Sequence, residues 1–238
     1  MVDADPLMVL VHSPFLGPSA WAWVARELEQ RGRPVVVPSV RAVADEPYRP
    51  WRDVWETVDA VSAHRAETLV LVGHSGAGSL LPAIAQSAPG RVAAIAFVDA
   101  FLPPPMGTAR LVPAEFADEL SALATGDVLP PWSTWFGEEA MRELVPDRAR
   151  RARIEQDMPR LPLSVRDTEL PVPAGWDRRP CAYLLLSAEP YAASAADARA
   201  RGWPTAELRG GKHLDLVRRP AAVARALLDL QREMLAAA

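Results

Sequence analysis

Cysteine and lysine are almost absent from this sequence of 238 residues, which contains one of each, Cys181 and Lys212. A single cysteine excludes an internal disulfide and offers no group of thiolate ligands for a metal. No apolar run approaches the length that a membrane span requires. Asp3 and Asp5 stand where a secretion signal would be basic. We therefore expect a cytoplasmic protein with no metal, no cofactor and no membrane contact.

An excess of charge of one sign is also missing. The net charge is -4, which gives no electrostatic reason to expect nucleic acid as a partner. Apolar residues make up 50% of the chain and charged residues 24%, the balance of a globular protein. The length suits one domain, and we expect a monomer or homodimer that acts on a small molecule.

One apolar run leads into a turn made almost entirely of small residues. Residues 69–72, Leu-Val-Leu-Val, have the uninterrupted apolar character of a strand buried on both faces. Gly-His-Ser-Gly-Ala-Gly follows at 73–78, and residues 80–88 can form a helix. This order predicts that Ser75 lies in a tight turn between a strand and a helix.

Such a turn suits a nucleophilic serine. A hydroxyl is a weak nucleophile at neutral pH, so it must project towards a base while backbone N–H groups face the oxygen that becomes negative. Gly73 and Gly76 remove side chains that would collide in the turn, and the helix start adds partial positive charge. The alternative interpretation is an ordinary glycine-rich turn with an incidental serine.

Strands and helices alternate along most of the chain. This pattern predicts a parallel sheet of six strands with helices on both faces, and ligands of such sheets bind beyond the carboxyl ends of the strands. Between residues 103 and 180 the alternation stops, and proline-rich loops separate helical fragments without a strand of comparable apolarity. The predicted strands are 7–11, 35–37, 69–72, 92–98, 181–186 and 205–208. The predicted helices are 20–31, a segment from 50 to before 68, 80–88, 114–124, 138–144, 148–158, 191–201 and 220–235.

A nucleophilic serine needs a base, and His213 is the best placed of the four histidines. It lies in a glycine-rich loop after the last strand, at the edge of the sheet where the other strands also end. We expect His64 on an exposed helix and His74 to pack or to donate a hydrogen bond. His12 is expected to hold the loop after the first strand and to border the substrate.

The segment Gly73-His74-Ser75-Gly76-Ala77 resembles the nucleophile elbow of the α/β-hydrolase superfamily, with Ala77 where the G-x-S-x-G pattern has glycine. The order of parts is similar to that superfamily over nearly the whole chain. The resemblance implies an α/β-hydrolase fold of three layers, with its core at 1–102 and 180–238. It also implies a helical lid at 103–179, after the fourth strand, and a catalytic triad of Ser75, His213 and an acid.

Two carboxylates are candidates for the acid. The superfamily more often supplies it after the strand at 181–186, which indicates Glu189, although the usual spacing falls on Pro190. Asp99 ends the strand that follows the nucleophile strand, and certain haloalkane dehalogenases take their acid from that position. We favour Asp99. Its carboxylate directly follows an apolar strand and needs a partner, because a buried charge without one is very costly. Glu189 is kept as the alternative.

The oxyanion hole raises a separate question. One expected donor is the N–H of Gly76, and in relatives the other comes from the residue that follows a His-Gly pair after the first strand. Here the pair is His12-Ser13, and the next residue, Pro14, has no N–H. Either the loop shifts so that Phe15 donates, or the hole is incomplete.

The predicted lid is rich in aromatic and apolar side chains, which we expect to form an apolar pocket over Ser75. The resemblance thus implies a serine hydrolase that needs no cofactor and cleaves a carboxylic ester or thioester of a small apolar molecule. A lyase or cyclase on the same fold is an alternative, motivated by Pro14, and a ligand-binding protein without turnover is another. The residues expected to line the pocket are Phe101, Met106, Phe116, Trp132, Trp135 and Phe136.

Overall fold

A parallel sheet of six strands forms the centre of the computed structural model, which describes residues 5–40, 52, 54–57, 59 and 68–236. The described strands in chain order are β1 Leu7–Val11, β2 Val35–Val36, β3 Leu69–His74, β4 Val92–Val98, β5 Gly107–Arg110, β6 Val128–Leu129, β7 Leu161–Pro162, β8 Glu169–Val172, β9 Cys181–Leu185 and β10 Thr205–Glu207. The strand order in the central sheet is β10-β9-β4-β3-β1-β2, and every neighbouring pair is parallel.

The central strands are apolar throughout because both faces of the sheet are covered. All six residues of β3 are buried, and the side chains of β1 alternate between two separate cores. Val9 and Val11 face one core, whereas Met8 and Leu10 face the other. The six predicted parallel strands of the central sheet are confirmed.

Helices cover both faces and make the three layers. The described α-helices are α1 Ala22–Glu29, α2 Leu81–Ser87, α3 Ala117–Leu123, α4 Gly137–Leu144, α5 Arg148–Glu155, α6 Ala188–Ala200, α7 Asp215–Arg218 and α8 Pro220–Ala236. One core includes Leu81 and Ala195, from α2 and α6, and the other includes Val24 and Leu227, from α1 and α8. None of the described helices combines the length and the apolar character that crossing a membrane demands.

The segment between β4 and β9 contains more than the helical fragments that the sequence predicts. Strand β5 pairs with β8, and β6 pairs with β7, both antiparallel. The sequence predicts no strand of comparable apolarity there, and these four short strands are not among the predicted elements. These strands have two to four residues, and that length is too short to give a periodic apolar signal.

Part of one predicted helix lies outside the described residues. Of the segment from residue 50 to 67, residues 52, 54–57 and 59 are described, and all of them are helical. The expected position of His64 also falls outside the described part of the chain.

Candidate active site

Ser75 lies in the turn at the carboxyl end of β3, with a strained backbone. Its φ angle is 57°, and a short 3-10 helix, Ser75–Leu80, starts at this residue. Among the described non-glycine residues, only Ser75 and Asp99 have a positive φ. This conformation costs a residue with a side chain about 1–2 kcal/mol, so the surrounding packing must hold it. The predicted strand-to-helix turn at Ser75 is confirmed.

Glycine is needed at position 78, one residue later than the G-x-S-x-G pattern places it. A Cβ atom at Gly78 would lie 2.9 Å from the Cβ of Ala100 and 2.9 Å from the carbonyl oxygen of Phe101. Ala77 is fully buried and has no positive φ. The close approach of the turn to the segment after β4 therefore falls at Gly78, which explains why alanine is accepted at position 77.

Asp99 follows β4 and is fully buried, yet its carboxylate is well supplied with hydrogen bonds. The Leu186 N–H donates to Oδ1 at 2.6 Å, and the Ser187 N–H donates to the same oxygen at 3.0 Å. The Ser187 hydroxyl donates to Oδ2 at 2.5 Å. These donors lie at the end of β9, next to β4 in the sheet, and they offset the loss of hydration on burial.

His213 completes this arrangement from the loop after β10. Its Nδ1 atom lies 3.0 Å from Oδ2 of Asp99. A carboxylate can only accept, so Nδ1 carries a hydrogen, and in the neutral ring the lone pair is therefore on Nε2. His213 and Ser75 line the same cavity. Chemically, this arrangement can accept a proton at Nε2 and stabilise the resulting imidazolium with the Asp99 carboxylate.

The two other carboxylates near this edge have different surroundings. Glu189 is exposed and lines the cavity, whereas the ring of His213 is paired with Asp99. Asp215 is fully buried and accepts from Arg218 at 2.6 Å and from Arg219 at 3.4 Å. The geometry therefore favours Asp99 over Glu189 as the partner of His213.

His74 supports the loop that carries His213. Its Nε2 atom lies 3.0 Å from the His213 carbonyl oxygen. Because a carbonyl oxygen only accepts, Nε2 of His74 is the donor. The centroids of the two imidazole rings lie 4.5 Å apart. Nδ1 of His74 is buried without a partner among the described residues. Burial first, and the nearby His213 second, hold the pKa of His74 well below 6.5, so this ring is neutral at physiological pH. The predicted hydrogen-bonding role of His74 is confirmed.

A cavity of about 500 Å³ opens above Ser75. Core residues form its floor, and the segment between β4 and β9 supplies most of its walls, which are mainly apolar. Among the described residues that line the cavity, Glu119 and Glu189 carry a carboxylate and none is a lysine or arginine. Of the seven residues expected to line the pocket or border the substrate, five line this cavity, namely Phe101, Phe116, Trp132, Trp135 and Phe136.

Two predicted pocket residues lie elsewhere. Met106 is 66% exposed and does not line the cavity. His12 is fully buried, with Nδ1 donating to the Ser13 carbonyl oxygen at 2.8 Å and Nε2 accepting from the Val40 N–H at 3.1 Å. His12 therefore braces the loop after β1, as expected, but its expected contact with the substrate is corrected because its ring is bound to the backbone away from the cavity.

The oxyanion side of the cavity is formed by the loop after β1. Gly76 and Phe15 both line the cavity beside Ser75. The Phe15 N–H donates to the Ser13 hydroxyl oxygen, although the distance is long, at 3.4 Å. That hydroxyl oxygen lies 3.2 Å from where a Cβ of residue 76 would be. Phe15 would have to release Ser13 in order to bind an oxyanion.

Sequence reasoning missed Tyr191 and Ser187. Tyr191 lines the cavity and its ring is stacked on His213, with centroids 5.1 Å apart and an angle of 11° between the planes. Ser187 binds Asp99 through both its N–H and its hydroxyl. Both residues follow β9, and the predicted end of that strand, at the same edge of the sheet as Ser75, was the signal in the sequence that could have indicated them.

Comparison with known proteins gives the same fold. A family model described as the alpha/beta hydrolase family matches residues 8–226. No curated protein sequence gives a significant match.

Several solved structures resemble the chain closely in fold, at low identity. An extracellular alpha/beta-hydrolase from a Paenibacillus species has 22% identity and a TM-score of 0.69, with 94% of this chain and 98% of that one covered. Polyneuridine aldehyde esterase has 17% identity and a TM-score of 0.70, with 95% and 99% covered. A pyrethroid hydrolase from Sphingobium faniae has 20% identity and a TM-score of 0.67, with 95% and 97% covered.

Proposed function

Because the chain belongs to the alpha/beta hydrolase family, we propose that it is a serine hydrolase that cleaves a carboxylic ester or thioester of a small apolar molecule. One observation carries this proposal. Ser75, on its strained turn, opens into the same apolar cavity as His213, and the ring of His213 is held by the buried carboxylate of Asp99.

The proposed reaction proceeds through an acyl-enzyme. Nε2 of His213 takes the hydroxyl proton as Ser75 Oγ attacks the carbonyl carbon, and Asp99 stabilises the imidazolium that forms. The N–H of Gly76 and a donor from the loop after β1, Phe15, hold the negative oxygen. The imidazolium then returns its proton to the leaving group, and water releases the acyl group by the same steps in reverse order.

The character of the cavity supports a small apolar substrate. Phe116, Trp132 and Trp135 come from the segment between β4 and β9 and line the cavity over the serine. We propose that this segment, residues 103–179, is the lid. Of the proteins that share the fold, one is named an esterase and another a pyrethroid hydrolase, and these names support a hydrolytic reaction here.

Labelling with a fluorophosphonate tests the proposal. We expect the probe to attach to Ser75 in the wild type, and Ser75→Ala to lose both the label and the hydrolysis of 4-nitrophenyl butyrate. Ser87, which donates to the Ile84 carbonyl oxygen outside the cavity, offers a matched control, since Ser87→Ala should remain labelled. Folded protein that is neither labelled nor active on esters would refute the proposed function.

A non-hydrolytic reaction on the same residues is the second candidate. Pro14 lacks an N–H and the N–H of Phe15 is directed to Ser13, so a complete oxyanion hole requires a shift of this loop. Proton transfers at His213 and Ser75 would not require that hole. Turnover of a substrate without an acyl-enzyme and without consumption of water would favour a lyase or cyclase over a hydrolase.

A further inference from the structure

The hydroxyl of Tyr191 lies in the candidate active site, and it has no role in the acyl-enzyme reaction proposed for Ser75 and His213. The residue follows β9, is 8% exposed and lines the cavity. Its ring is stacked on that of His213, and its hydroxyl lies near enough to the Ser75 hydroxyl for that neighbour to lower the pKa of the phenol. Phe101 packs against the ring as well, with centroids 5.2 Å apart. These contacts fix the phenol beside both Ser75 and His213.

The phenol is a donor under the conditions of catalysis. Burial raises the pKa of Tyr191 to about 12, more than the interaction with Ser75 lowers it. The hydroxyl therefore keeps its hydrogen at neutral pH, and it can donate to an oxygen that gains negative charge.

The side on which Tyr191 lies decides which oxygen it meets. Gly76 and the loop after β1 approach Ser75 from the oxyanion side. Tyr191 is instead stacked on His213, the group that delivers a proton to the leaving oxygen. A donor held against this ring is therefore placed for the leaving oxygen rather than the carbonyl oxygen.

We propose that Tyr191 is a catalytic residue whose hydroxyl donates a hydrogen bond to the leaving-group oxygen as the ester bond breaks. This proposal rests on the proposed hydrolase function. In the step, the C–O electron pair passes to the leaving oxygen, and the carbonyl double bond re-forms from the oxyanion. The proton on Nε2 of His213 moves to the leaving oxygen. Tyr191 keeps its own proton and only stabilises the charge that develops.

Esters with one acyl group and different leaving groups test this role. A good leaving group such as 4-nitrophenol needs little help, whereas phenol and trifluoroethanol need more. In Tyr191→Phe, which keeps the ring, we expect kcat/KM to fall about 10- to 100-fold for the phenyl and trifluoroethyl esters. For the 4-nitrophenyl ester we expect a loss of less than about 3-fold. The ratio of kcat/KM for the 4-nitrophenyl ester to kcat/KM for the phenyl or trifluoroethyl ester is measured in one preparation, so it does not depend on how much of the protein is folded.

Tyr183→Phe is the matched control. The Tyr183 hydroxyl is bound to the backbone of Ala100, accepting from the N–H at 3.1 Å and donating to the carbonyl oxygen at 2.8 Å, and Tyr183 does not line the cavity. Loss of this hydroxyl should change kcat/KM by the same factor for all three esters. The same uniform factor, or no loss, in Tyr191→Phe would overturn the role proposed for Tyr191. A wild type that leaves all esters intact and Ser75 unlabelled would instead refute the hydrolase function.

Discussion

Oδ2 of Asp99 lies 3.0 Å from Nδ1 of His213, although 114 residues separate the two in sequence. Strand β4 delivers the carboxylate and the loop after β10 delivers the ring, so the order of strands in the sheet creates the contact. Hydrogen bonds from Leu186 and Ser187 offset the free-energy cost of burying the Asp99 carboxylate. The pair therefore has one orientation, in which Nε2 of His213 is free to act as a base.

Substitution at Asp99 and Glu189 separates the two candidate acids. Asp99→Asn should lower kcat/KM about 1,000-fold or more, because the amide cannot stabilise the imidazolium and can favour the wrong tautomer. It should also lower the free energy of unfolding by about 1–3 kcal/mol, since donors from Leu186, Ser187 and His213 surround it. Glu189→Gln should keep kcat/KM within about 3-fold of the wild type. Ester kinetics with urea titrations measure both effects, and an equal loss in Glu189→Gln would contradict the assignment.

Two adjacent glycines in the loop that carries His213 should respond differently to alanine. A Cβ at Gly211 would lie 2.1 Å from the Leu186 carbonyl oxygen and 2.7 Å from that of Leu208. Gly211→Ala should therefore lower the free energy of unfolding by about 2–4 kcal/mol and, by moving His213, reduce kcat/KM at least about 10-fold.

Gly210 supplies the control for this experiment. It has a φ of 62° and no atom within 4 Å of an added Cβ, so Gly210→Ala should cost about 1–2 kcal/mol. Its activity should stay within about 3-fold of the wild type, since nothing pushes on the loop. Thermal unfolding and ester kinetics of both variants measure these effects. A larger loss of stability and of kcat/KM in Gly210→Ala than in Gly211→Ala would contradict this account.

The buried His74 should make the protein less stable in acid. Its pKa is held well below 6.5 in the folded state, whereas the unfolded chain binds a proton at about 6.5. Below pH 6.5 the unfolded state therefore holds more protons, and the free energy of unfolding falls by up to about 1.4 kcal/mol per pH unit as the pH decreases. The loss continues until the folded-state pKa is reached.

His74→Gln tests this dependence, because it removes the titrating group. Urea unfolding at pH 7.5, 6.5 and 5.5 should give a steeper decline for the wild type than for the variant. The comparison concerns the slope, so a general destabilisation by the substitution does not affect it. Identical slopes would assign the acid sensitivity to other groups.

The charge of the cavity should select against anionic substrates. Glu119 and Glu189 line it, and no described lining residue is a lysine or arginine. We expect 4-nitrophenyl butyrate to be cleaved with a kcat/KM about 3- to 10-fold above that of the 4-nitrophenyl monoester of succinic acid. Glu119→Gln should bring the ratio of these two kcat/KM values closer to one. Glu115→Gln, an exposed carboxylate of the same segment outside the cavity lining, should leave the ratio unchanged.

Local patterns were sufficient for the elements that form the sheet. Uninterrupted apolar runs predicted β3 and β4, since strands buried on both faces have no polar side to interrupt them. The small residues around Ser75 predicted the strained turn, because few other residues fit there. The antiparallel pairs β5/β8 and β6/β7 were missed, because strands of two to four residues have no periodicity.

The sequence by itself determined the parallel sheet, the serine turn and the glycine-rich loop of His213, because these depend on apolar periodicity and on short-range sterics, and its resemblance to the α/β-hydrolase superfamily indicated the fold family. It left the partner of His213 open between Asp99 and Glu189, and it said nothing of Tyr191. Only the tertiary structure decided these points. The order of strands in the sheet brings distant chain segments side by side, and no local pattern encodes the distance between their side chains.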